Sequence, residues 1–582
     1  MRAVYWAVGV TAVALVAGVW FRLIGTIVPG TSHPAETATL QDPAVPDATP
    51  AAPAEPSAGV LALRERLPQY EKRANSADFD AIKDFYADRN GPLVWVLPDG
   101  FTPKAKAAIA EIARAGDWGL DAKDYALPRL PVGALTPETG AGVEIELTLA
   151  MLKYARNAYG GRIAQPSRVS SLFDQTPPRI APKTVLSALV SAEAPDAYLR
   201  SLHPRHGQFL KLRELLVRLR RQLDPSPSDD IAFGAQLQGT VAELQTASTS
   251  ASPPAPPSRA PTGAERLRIE ADIDRILVNM ERWRWLPHEL GSIYVWNNVP
   301  EFMTRVWQDG KIINSDRIVA GQPDWPTPVF SADMKSIVFH PSWGVPDGIK
   351  RKELAPLLRR SSSGGLVSLF TGAPSAQSVL AAHKLQAYYN GRQIDPNGVN
   401  WSSANISAYE FRQPPGPTNV LGEVKFLFPN KHDVYMHDTP DRSLFARDFR
   451  GLSHGCMRVG DPRRFAEVLL SVDKSWSKEK VQSMFRAGTQ EVALSRPIPV
   501  HNTYFTAMVD YQGNLREFGD LYGLDPRLGR ALLAREPRFK SRSYAAEVAA
   551  IEREERQKQQ RLRASSSGAS TLADAISDIF SP

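Results

Sequence analysis

The sequence predicts a multidomain chain with an N-terminal transmembrane anchor, a mainly α scaffold domain, and a mainly β domain that carries a helical capping insertion. Three observations predict this class. The first residues form one long apolar run, the next region repeats apolar residues at helical spacings, and the region after it alternates with period two. At 582 residues the chain has room for roughly three or four domains of ordinary size.

The apolar run covers residues 3–21 and contains no charged side chain. As a helix it would be ~28 Å long, close to the ~30 Å hydrocarbon core of a bilayer. We predict that residues 1–28 are a signal anchor. The alternative is a cleaved signal peptide, which usually has a shorter apolar region and a small-residue cleavage site. Arg2 favours a cytoplasmic N-terminus, so the rest of the chain is expected outside the cytoplasm.

Changes in composition and periodicity divide the rest of the chain. The predicted segments are a flexible tether at 29–59, a helical scaffold domain at 60–223, a Pro/Ser-rich linker at 224–263, a mainly β domain at 264–530 with its insertion at 344–410, and a polar, basic tail at 531–582. Tether and linker are rich in proline, which helix interiors and central strands exclude. In the scaffold domain, residues 143–159 have the spacing of an amphipathic helix. We expect this domain to support the fold without chemistry of its own.

The mainly β domain is predicted to begin with a helix at 264–283. Its predicted strands are 291–296, 302–307, 312–319, 336–340, 423–428 and 433–437. Asp309-Gly310, between the second and third strands, is a strong hairpin signal. The insertion is predicted to contain helices at 350–360 and 377–390, joined by residues 361–365.

Several classes of function lack support in the sequence. The chain has one cysteine, Cys456, which excludes an intramolecular disulfide, a CxxC redox pair, and zinc sites built on two or four cysteines. The patterns GxxxxGK[ST], GxGxxG after a strand and HExxH are missing, so nucleotide-binding and zincin functions are not indicated. The net charge of +7 is modest, and residues 535–563 hold nine Lys/Arg against five Asp/Glu. Nucleic acid is therefore not an expected partner.

The surroundings of Cys456 are typical of a nucleophile. His437 ends a predicted strand nineteen residues earlier, which leaves enough chain for the two side chains to meet. An imidazole within hydrogen-bond reach can take the thiol proton, which a thiol of pKa ~8.5 otherwise largely keeps at neutral pH. Gly455 permits close backbone approach, so the amides of 454–456 could face a developing oxyanion.

Other interpretations of this segment stay open. Cys456 is equally compatible with a buried structural thiol, and His454 is more typical of a structural hydrogen-bonding residue than of a general base. A zinc site is a further alternative, although its spacing fits no standard pattern; its ligands would be His432, His437, His454 and Cys456. Residues 451–455 also satisfy the GxSxG nucleophile elbow of α/β-hydrolases. That fold requires alternating strands and helices before the serine, whereas the preceding region here is rich in β-hairpins.

Residues 453–458, Ser-His-Gly-Cys-Met-Arg, preceded by His437, resemble the signature of the L,D-transpeptidases, the family with the YkuD-type catalytic domain. Further segments resemble the large, membrane-anchored YcbB-type subgroup of that family; they are 281–287, 412–419, 421–422, 425–426, 429–430 and 435–440. The helical region before them resembles the scaffold domain of that subgroup. One departure is that the linker stands where the subgroup often carries a peptidoglycan-binding module.

The resemblance implies roles for individual residues. Cys456 would be the nucleophile and His437 its general base, with the backbone carbonyl of Asp438 orienting the imidazole. Amides around His454 and Gly455 would form the oxyanion hole. The implied substrate-binding residues are Tyr435, Ser453, Arg458, Asn419 and Phe426. No metal or organic cofactor is implied.

The implied reaction joins two peptidoglycan stem peptides. The thiolate attacks the L-centre carbonyl of the third residue of a tetrapeptide donor and releases D-alanine. A side-chain amine of a diaminopimelate acceptor then takes the acyl group, which gives a 3→3 cross-link. Water as acceptor would make the protein an L,D-carboxypeptidase, a lipoprotein lysine would make it a tethering enzyme, and a non-catalytic wall-binding scaffold is a further alternative. The resemblance also implies the inner membrane and cell-wall synthases as partners, with the catalytic part in the periplasm.

Overall fold

The helical spacing of the first region produces a set of packed helices. The computed structural model describes residues 55–224, 261–362 and 375–551, together with 553, 556 and 557. Its first range contains α1 (Ala58–Arg66), α2 (Ser76–Ala87), α3 (Pro103–Ala113), α4 (Pro137–Gly160), α5 (Pro182–Ser191), α6 (Pro195–Ser201) and α7 (Gly207–Leu223). A short antiparallel pair, β1 (Val96–Leu97) and β2 (Gly100–Phe101), lies between α2 and α3.

Helix α4 confirms the amphipathic helix predicted at 143–159. It begins after Thr136, whose hydroxyl accepts a hydrogen bond from the Thr139 amide while the Thr139 hydroxyl bonds back. This capping box satisfies amides that the first helical turn leaves unpaired. Ile145 and Leu152 lie in the core of the helical region, as the spacing predicts. The first region therefore has its own hydrophobic core.

Helix α8 (Gly263–Arg284), predicted at 264–283, leads into the β region. Before the insertion lie β3 (Ile293–Asn298), β4 (Met303–Gln308), β5 (Lys311–Gly321) and β6 (Phe330–Phe339). The insertion contains β7 (Trp343–Gly344), α9 (Asp347–Ile349), a π-helical segment (Lys350–Leu354), α10 (Ala355–Ser362), α11 (Ala376–Ala382), β8 (Gln386–Tyr389), β9 (Arg392–Gln393) and β10 (Tyr409–Gln413). After it come β11 (Val424–Leu427), β12 (Met436–His437), β13 (Gly451–Ser453), β14 (Met457–Val459), α12 (Pro462–Lys474), α13 (Lys478–Met484), β15 (Gln490–Thr503), β16 (Ala507–Val509), β17 (Leu515–Glu517) and α14 (Leu524–Leu533).

The main sheet of the described residues has the strand order β13-β5-β14-β12-β11-β6-β15-β3-β4. Because β4 also pairs with β5, the sheet closes on itself. The β4–β5 hairpin is confirmed, and Asp309 and Gly310 adopt the positive φ values, 47° and 77°, that a tight hairpin turn requires. The strand predicted at 433–437 is shorter than expected, because Asp433 has φ 54° and belongs to a turn.

The prediction that the insertion is purely helical is wrong, because it also contains strands. Strands β7, β10, β8 and β9 form a separate four-stranded sheet in that order. The helix predicted at 377–390 ends at Ala382, and residues 386–389 form β8 instead. The reason lies in Asn390-Gly391, whose positive φ values build a hairpin turn that the helical spacing concealed. Residues 363–374, which include most of the predicted connection, lie outside the described residues.

Three predicted segments fall wholly or largely outside the described residues. They are the anchor at 1–28, nearly all of the tether and most of the linker. Among the residues that the structure describes, no helix is long and apolar enough to cross a bilayer. The start of the predicted polar tail is part of the fold, because Phe539 is buried and Tyr544 contacts the rings of Phe302 and Phe449. The remaining domain boundaries stay predictions.

Candidate active site

Strand register brings His437 and Cys456 to one face of the sheet. Strands β12 and β14 are parallel neighbours, and His437 lies opposite Arg458. Cys456 directly precedes β14, and Tyr435 directly precedes β12. Side chains two positions apart on a strand point to the same face, so these four side chains share a face. The rings of Tyr435 and His437, 5.7 Å apart between centroids, agree with this placement.

The imidazole of His437 is buried and neutral. Its Nδ1 donates a hydrogen bond to the backbone carbonyl of Asp438 at 2.5 Å, so Nε2 is the ring nitrogen that can accept a proton. Burial, reinforced by the charges of Arg458 and Lys425, lowers the pKa of His437 to about 3. The imidazole therefore presents an unprotonated Nε2, the state in which a general base takes up a proton.

The thiol of Cys456 is half-buried and protonated. Its Sγ donates to the backbone carbonyl of Asp433 at 3.8 Å. Burial raises the pKa of Cys456, while contact with Tyr435 and the charges of Lys425 and Arg458 oppose that rise. The contacts of the described residues include no direct hydrogen bond between this sulfur and His437. The site therefore holds a thiol and a neutral imidazole rather than a preformed ion pair.

These pKa directions predict how the reactivity of Cys456 depends on pH. We expect the rate of alkylation by iodoacetamide to keep rising above pH 9, since the raised pKa leaves the thiolate fraction still increasing there. Cys456 is the single cysteine of the sequence, so the mass of the intact protein reports this site alone. The unfolded chain, with a thiol pKa near ~8.5, is the control. A rate plateau beginning below pH 7 would contradict the prediction.

The turn before the cysteine presents backbone amides. Gly455 has φ 102°, a conformation that a residue with a side chain adopts only under strain. The Thr327 hydroxyl donates to the Gly455 carbonyl at 2.8 Å, and the Ser453 hydroxyl donates to the Cys456 carbonyl. Within the described part of the chain, the amides of Gly455 and Cys456 have no hydrogen-bond acceptor. Two unpaired amides beside the thiol suit a developing oxyanion.

The side chain of His454 joins this turn to the insertion. Its Nε2 lies 2.9 Å from Glu353 Oε1, on the π-helical segment, and its ring lies 5.3 Å from the ring of Trp325. The imidazole of His454 therefore makes a structural contact with Glu353, in agreement with the structural role favoured for it above. Its backbone is the part that can support an oxyanion.

Two predicted substrate-binding residues line the site. Tyr435 is half-buried, and Lys425 Nζ lies 3.7 Å from its ring centroid. The buried guanidinium of Arg458 makes no hydrogen bond through Nε or Nη1 within the described residues. Burial lowers the pKa of Arg458 to about 10, so it stays positive at neutral pH. Arg458 can therefore receive an anionic group beside the thiol.

Asn419 and Phe426 were expected to bind substrate, but both side chains lie in the interior. The side-chain amide of Asn419 is occupied by backbone groups: its Oδ1 accepts from the Leu421 amide, and its Nδ2 lies within hydrogen-bond distance of the carbonyls of Gln413 and Pro414 in its own loop and of the distant Pro341. The ring of Phe426 is 0% exposed and packs on Phe465 at 4.8 Å. Neither side chain is accessible to a substrate.

Sequence reasoning missed Lys425. This residue lies opposite His437 in the antiparallel register of β11 and β12. Alternation along β11 turns Phe426 into the core and Lys425 towards the site. The signal was present, since Val424, Phe426 and Phe428 are apolar at period two.

Asp438 has a further structural role besides its backbone carbonyl. Its carboxylate accepts hydrogen bonds from the backbone amides of Glu423 and Thr439 and from the guanidinium of Arg442.

The two rival chemistries find no support in the geometry. Among the described residues no three His, Cys, Asp or Glu side chains are grouped to hold a metal ion. His432 bonds Asp174 instead. Ser453 lies on β13, and the next element is a strand rather than the helix that a nucleophile elbow requires. Its hydroxyl is committed to the Cys456 carbonyl.

Comparison with known proteins shows that this site lies within a segment that matches a family model. Residues 292–481 match the family model of the L,D-transpeptidase catalytic domain, YkuD, and residues 80–216 match that of a scaffold domain. A Haemophilus influenzae protein named "Putative L,D-transpeptidase" is 28% identical over 260 residues, which cover 44% of this chain and 49% of that protein. The chain thus spans about half the length of this curated relative.

Two solved structures overlap weakly with the chain. One is L,D-transpeptidase 3 from Mycobacterium tuberculosis in complex with a faropenem-derived adduct, 14% identical, covering 36% of this chain and 60% of that one at a TM-score of 0.17. The other is an L,D-transpeptidase from Mycobacterium smegmatis, 13% identical, covering 36% and 58% at a TM-score of 0.16. Overlaps this weak carry no structural argument. The family matches agree with the resemblance at domain level: a segment that matches a scaffold-domain model is followed by one that matches the L,D-transpeptidase catalytic-domain model and contains Cys456 and His437.

Proposed function

We propose that this chain is a peptidoglycan L,D-transpeptidase that forms 3→3 cross-links through a thioester on Cys456, with His437 as general base. The observation that carries the proposal is the shared face of the two side chains, inside the segment that matches the catalytic-domain model. The bond from His437 Nδ1 to the Asp438 carbonyl supports it, because it leaves Nε2 as the proton acceptor.

The proposed acylation step uses both side chains. Nε2 of His437 takes the thiol proton as Sγ of Cys456 attacks the L-centre carbonyl of the third stem residue. The amides of Gly455 and Cys456 donate to the resulting oxyanion. When the tetrahedral intermediate collapses, the C–N bond to D-alanine breaks and the imidazolium returns the proton to the leaving amine.

Transfer of the acyl group completes the reaction. The side-chain amine of a diaminopimelate acceptor attacks the thioester, and His437 takes a proton from the amine. The C–S bond then breaks, and the imidazolium returns that proton to the sulfur of Cys456. Stem peptides carry free carboxylates, and the positive charges of Arg458 and Lys425 beside the thiol are complementary to them. These two cations favour a stem peptide over a neutral donor.

Product analysis with purified tetrapeptide muropeptides tests the proposal. We expect dimers linked between third residues, together with free D-alanine in equal amount. Tripeptide monomers alone would assign a carboxypeptidase, and transfer to a lipoprotein lysine in a parallel reaction would assign a tethering enzyme. Binding to sacculi with neither product would identify a non-catalytic scaffold and contradict the proposal.

The proposal includes a location. The apolar run at 3–21 supports single-pass attachment to the inner membrane, as in the YcbB-type subgroup, with the catalytic part in the periplasm beside cell-wall synthases. Membrane fractionation of the full chain, compared with a variant that lacks residues 1–28, tests this. Recovery of the full chain in the soluble fraction would contradict membrane attachment.

A further inference from the structure

Asp174 connects the helical region to the β region through its backbone. It lies between α4 and α5, and its amide donates to the Val329 carbonyl at 2.9 Å, while the Val329 amide donates to the Leu172 carbonyl at 2.8 Å. The intervening Phe173 is fully buried and its ring lies 5.1 Å from that of Trp285. These contacts fix the position of Asp174 beside the start of β6.

The carboxylate of Asp174 reaches the segment that precedes β12. Its Oδ2 lies 2.8 Å from His432 Nε2, and its Oδ1 lies 2.6 Å from Lys431 Nζ. The side chain of His432 is 22% exposed and packs 5.2 Å from the ring of Phe330, whereas that of Lys431 is 69% exposed. Exposed ion pairs contribute little, so the imidazole contact is the one that holds the segment.

The residues after His432 form one wall of the thiol. Asn430 Oδ1 accepts hydrogen bonds from the amides of His432 and Val434, which builds a turn. At the end of this turn the Asp433 carbonyl accepts the hydrogen bond from Cys456 Sγ. Tyr435 follows, and its contact with the thiol opposes the rise in the pKa of Cys456. The segment that carries His432 therefore supplies groups that contact the sulfur.

We propose that Asp174 is a positioning residue for the nucleophile: through His432 it sets Asp433 and Tyr435 around Cys456. The inference deepens the proposed function and rests on Cys456 being the nucleophile. Under this proposal one side chain of the helical region, which was expected to have no chemistry of its own, helps to place the thiol.

The test compares Asp174→Ala, His432→Ala and the double variant in the full chain. The readouts are the rate of Cys456 acylation by a carbapenem and the pH profile of its alkylation by iodoacetamide. Each single variant should lose about 10-fold or more in acylation, as small displacements of reacting groups do. The alkylation profile should shift, which a merely structural role would not cause. The double variant should acylate no more slowly than either single variant, because each single substitution already removes the same contact between Asp174 and His432.

Two matched controls isolate the contact. Lys431→Ala removes the other partner of the same carboxylate, and Asp333→Asn removes the charge of an acidic residue that lines one pocket together with Asp174 and His432. Both should acylate within about twofold of the wild type, as surface substitutions usually do. Losses in both controls equal to that of Asp174→Ala would overturn the inference, because the effect would then not depend on the contact between Asp174 and His432.

Two further outcomes would overturn the inference. One is a wild-type acylation rate and alkylation profile in Asp174→Ala, and the other is additive losses of acylation rate in the double variant. Thermal melting reports the fold; where the alanine variant does not fold, Asp174→Leu and His432→Phe replace it, since both keep side-chain bulk and neither can form the hydrogen bond. If Cys456 of the wild type is alkylated normally yet no product forms from tetrapeptides, the proposed function fails while the alkylation profiles still decide the inference.

Discussion

Replacing Cys456 by alanine is expected to abolish D-alanine release from a tetrapeptide donor, a loss of about 10⁴-fold or more, because the group that forms the acyl intermediate is gone. The side chain is half-buried and small, so the variant should melt close to the wild type. Cys456→Ser should be nearly as inactive, since a neutral imidazole is a weak base for a hydroxyl. Chromatographic measurement of free D-alanine over time checks both variants.

Ser453→Ala is the matched control for this prediction. It removes the hydroxyl bonded to the Cys456 carbonyl and should slow acylation without preventing it. Loss of all acylation in Ser453→Ala together with an intact adduct in Cys456→Ala would assign the chemistry to the GxSxG serine instead.

Replacing His437 by alanine is expected to slow acylation at neutral pH by about 10² to 10⁴-fold, the usual contribution of a general base. Because the lowered pKa of His437 keeps its imidazole neutral, the loss should be largest near pH 7. It should shrink towards pH 10, where hydroxide ionises the thiol directly. Stopped-flow acylation at both pH values measures the difference.

His437→Gln controls for packing, because its amide can still donate to the Asp438 carbonyl while it supplies no base. It should lose as much activity as the alanine variant. An unchanged rate at pH 7 in either variant would show that His437 is not the base.

Local signals predicted the parts of the fold that local chemistry determines. Asp309-Gly310 alone specifies the β4–β5 hairpin, because few residue pairs tolerate two consecutive positive φ values. The motif at 453–458 likewise marked the turn before Cys456, where the backbone conformation of Gly455 favours glycine.

Contacts between distant segments could not be predicted in this way. Nothing near Glu353 in the sequence indicates that it meets His454, about a hundred positions later, and nothing near Asp174 indicates His432. The choice of Phe426 over Lys425 was a different error, since the alternation of the strand carried the answer. A shift of one residue on a strand exchanges the core face for the site face.

The mass of the intact protein after rapid mixing with a tetrapeptide donor, without acceptor and quenched in acid, tests the central claim most directly. The account predicts an adduct equal to the donor less D-alanine, which peptide mapping places on Cys456 and which a diaminopimelate amine removes. A folded protein whose Cys456 reacts with iodoacetamide but forms no such adduct would contradict the claim.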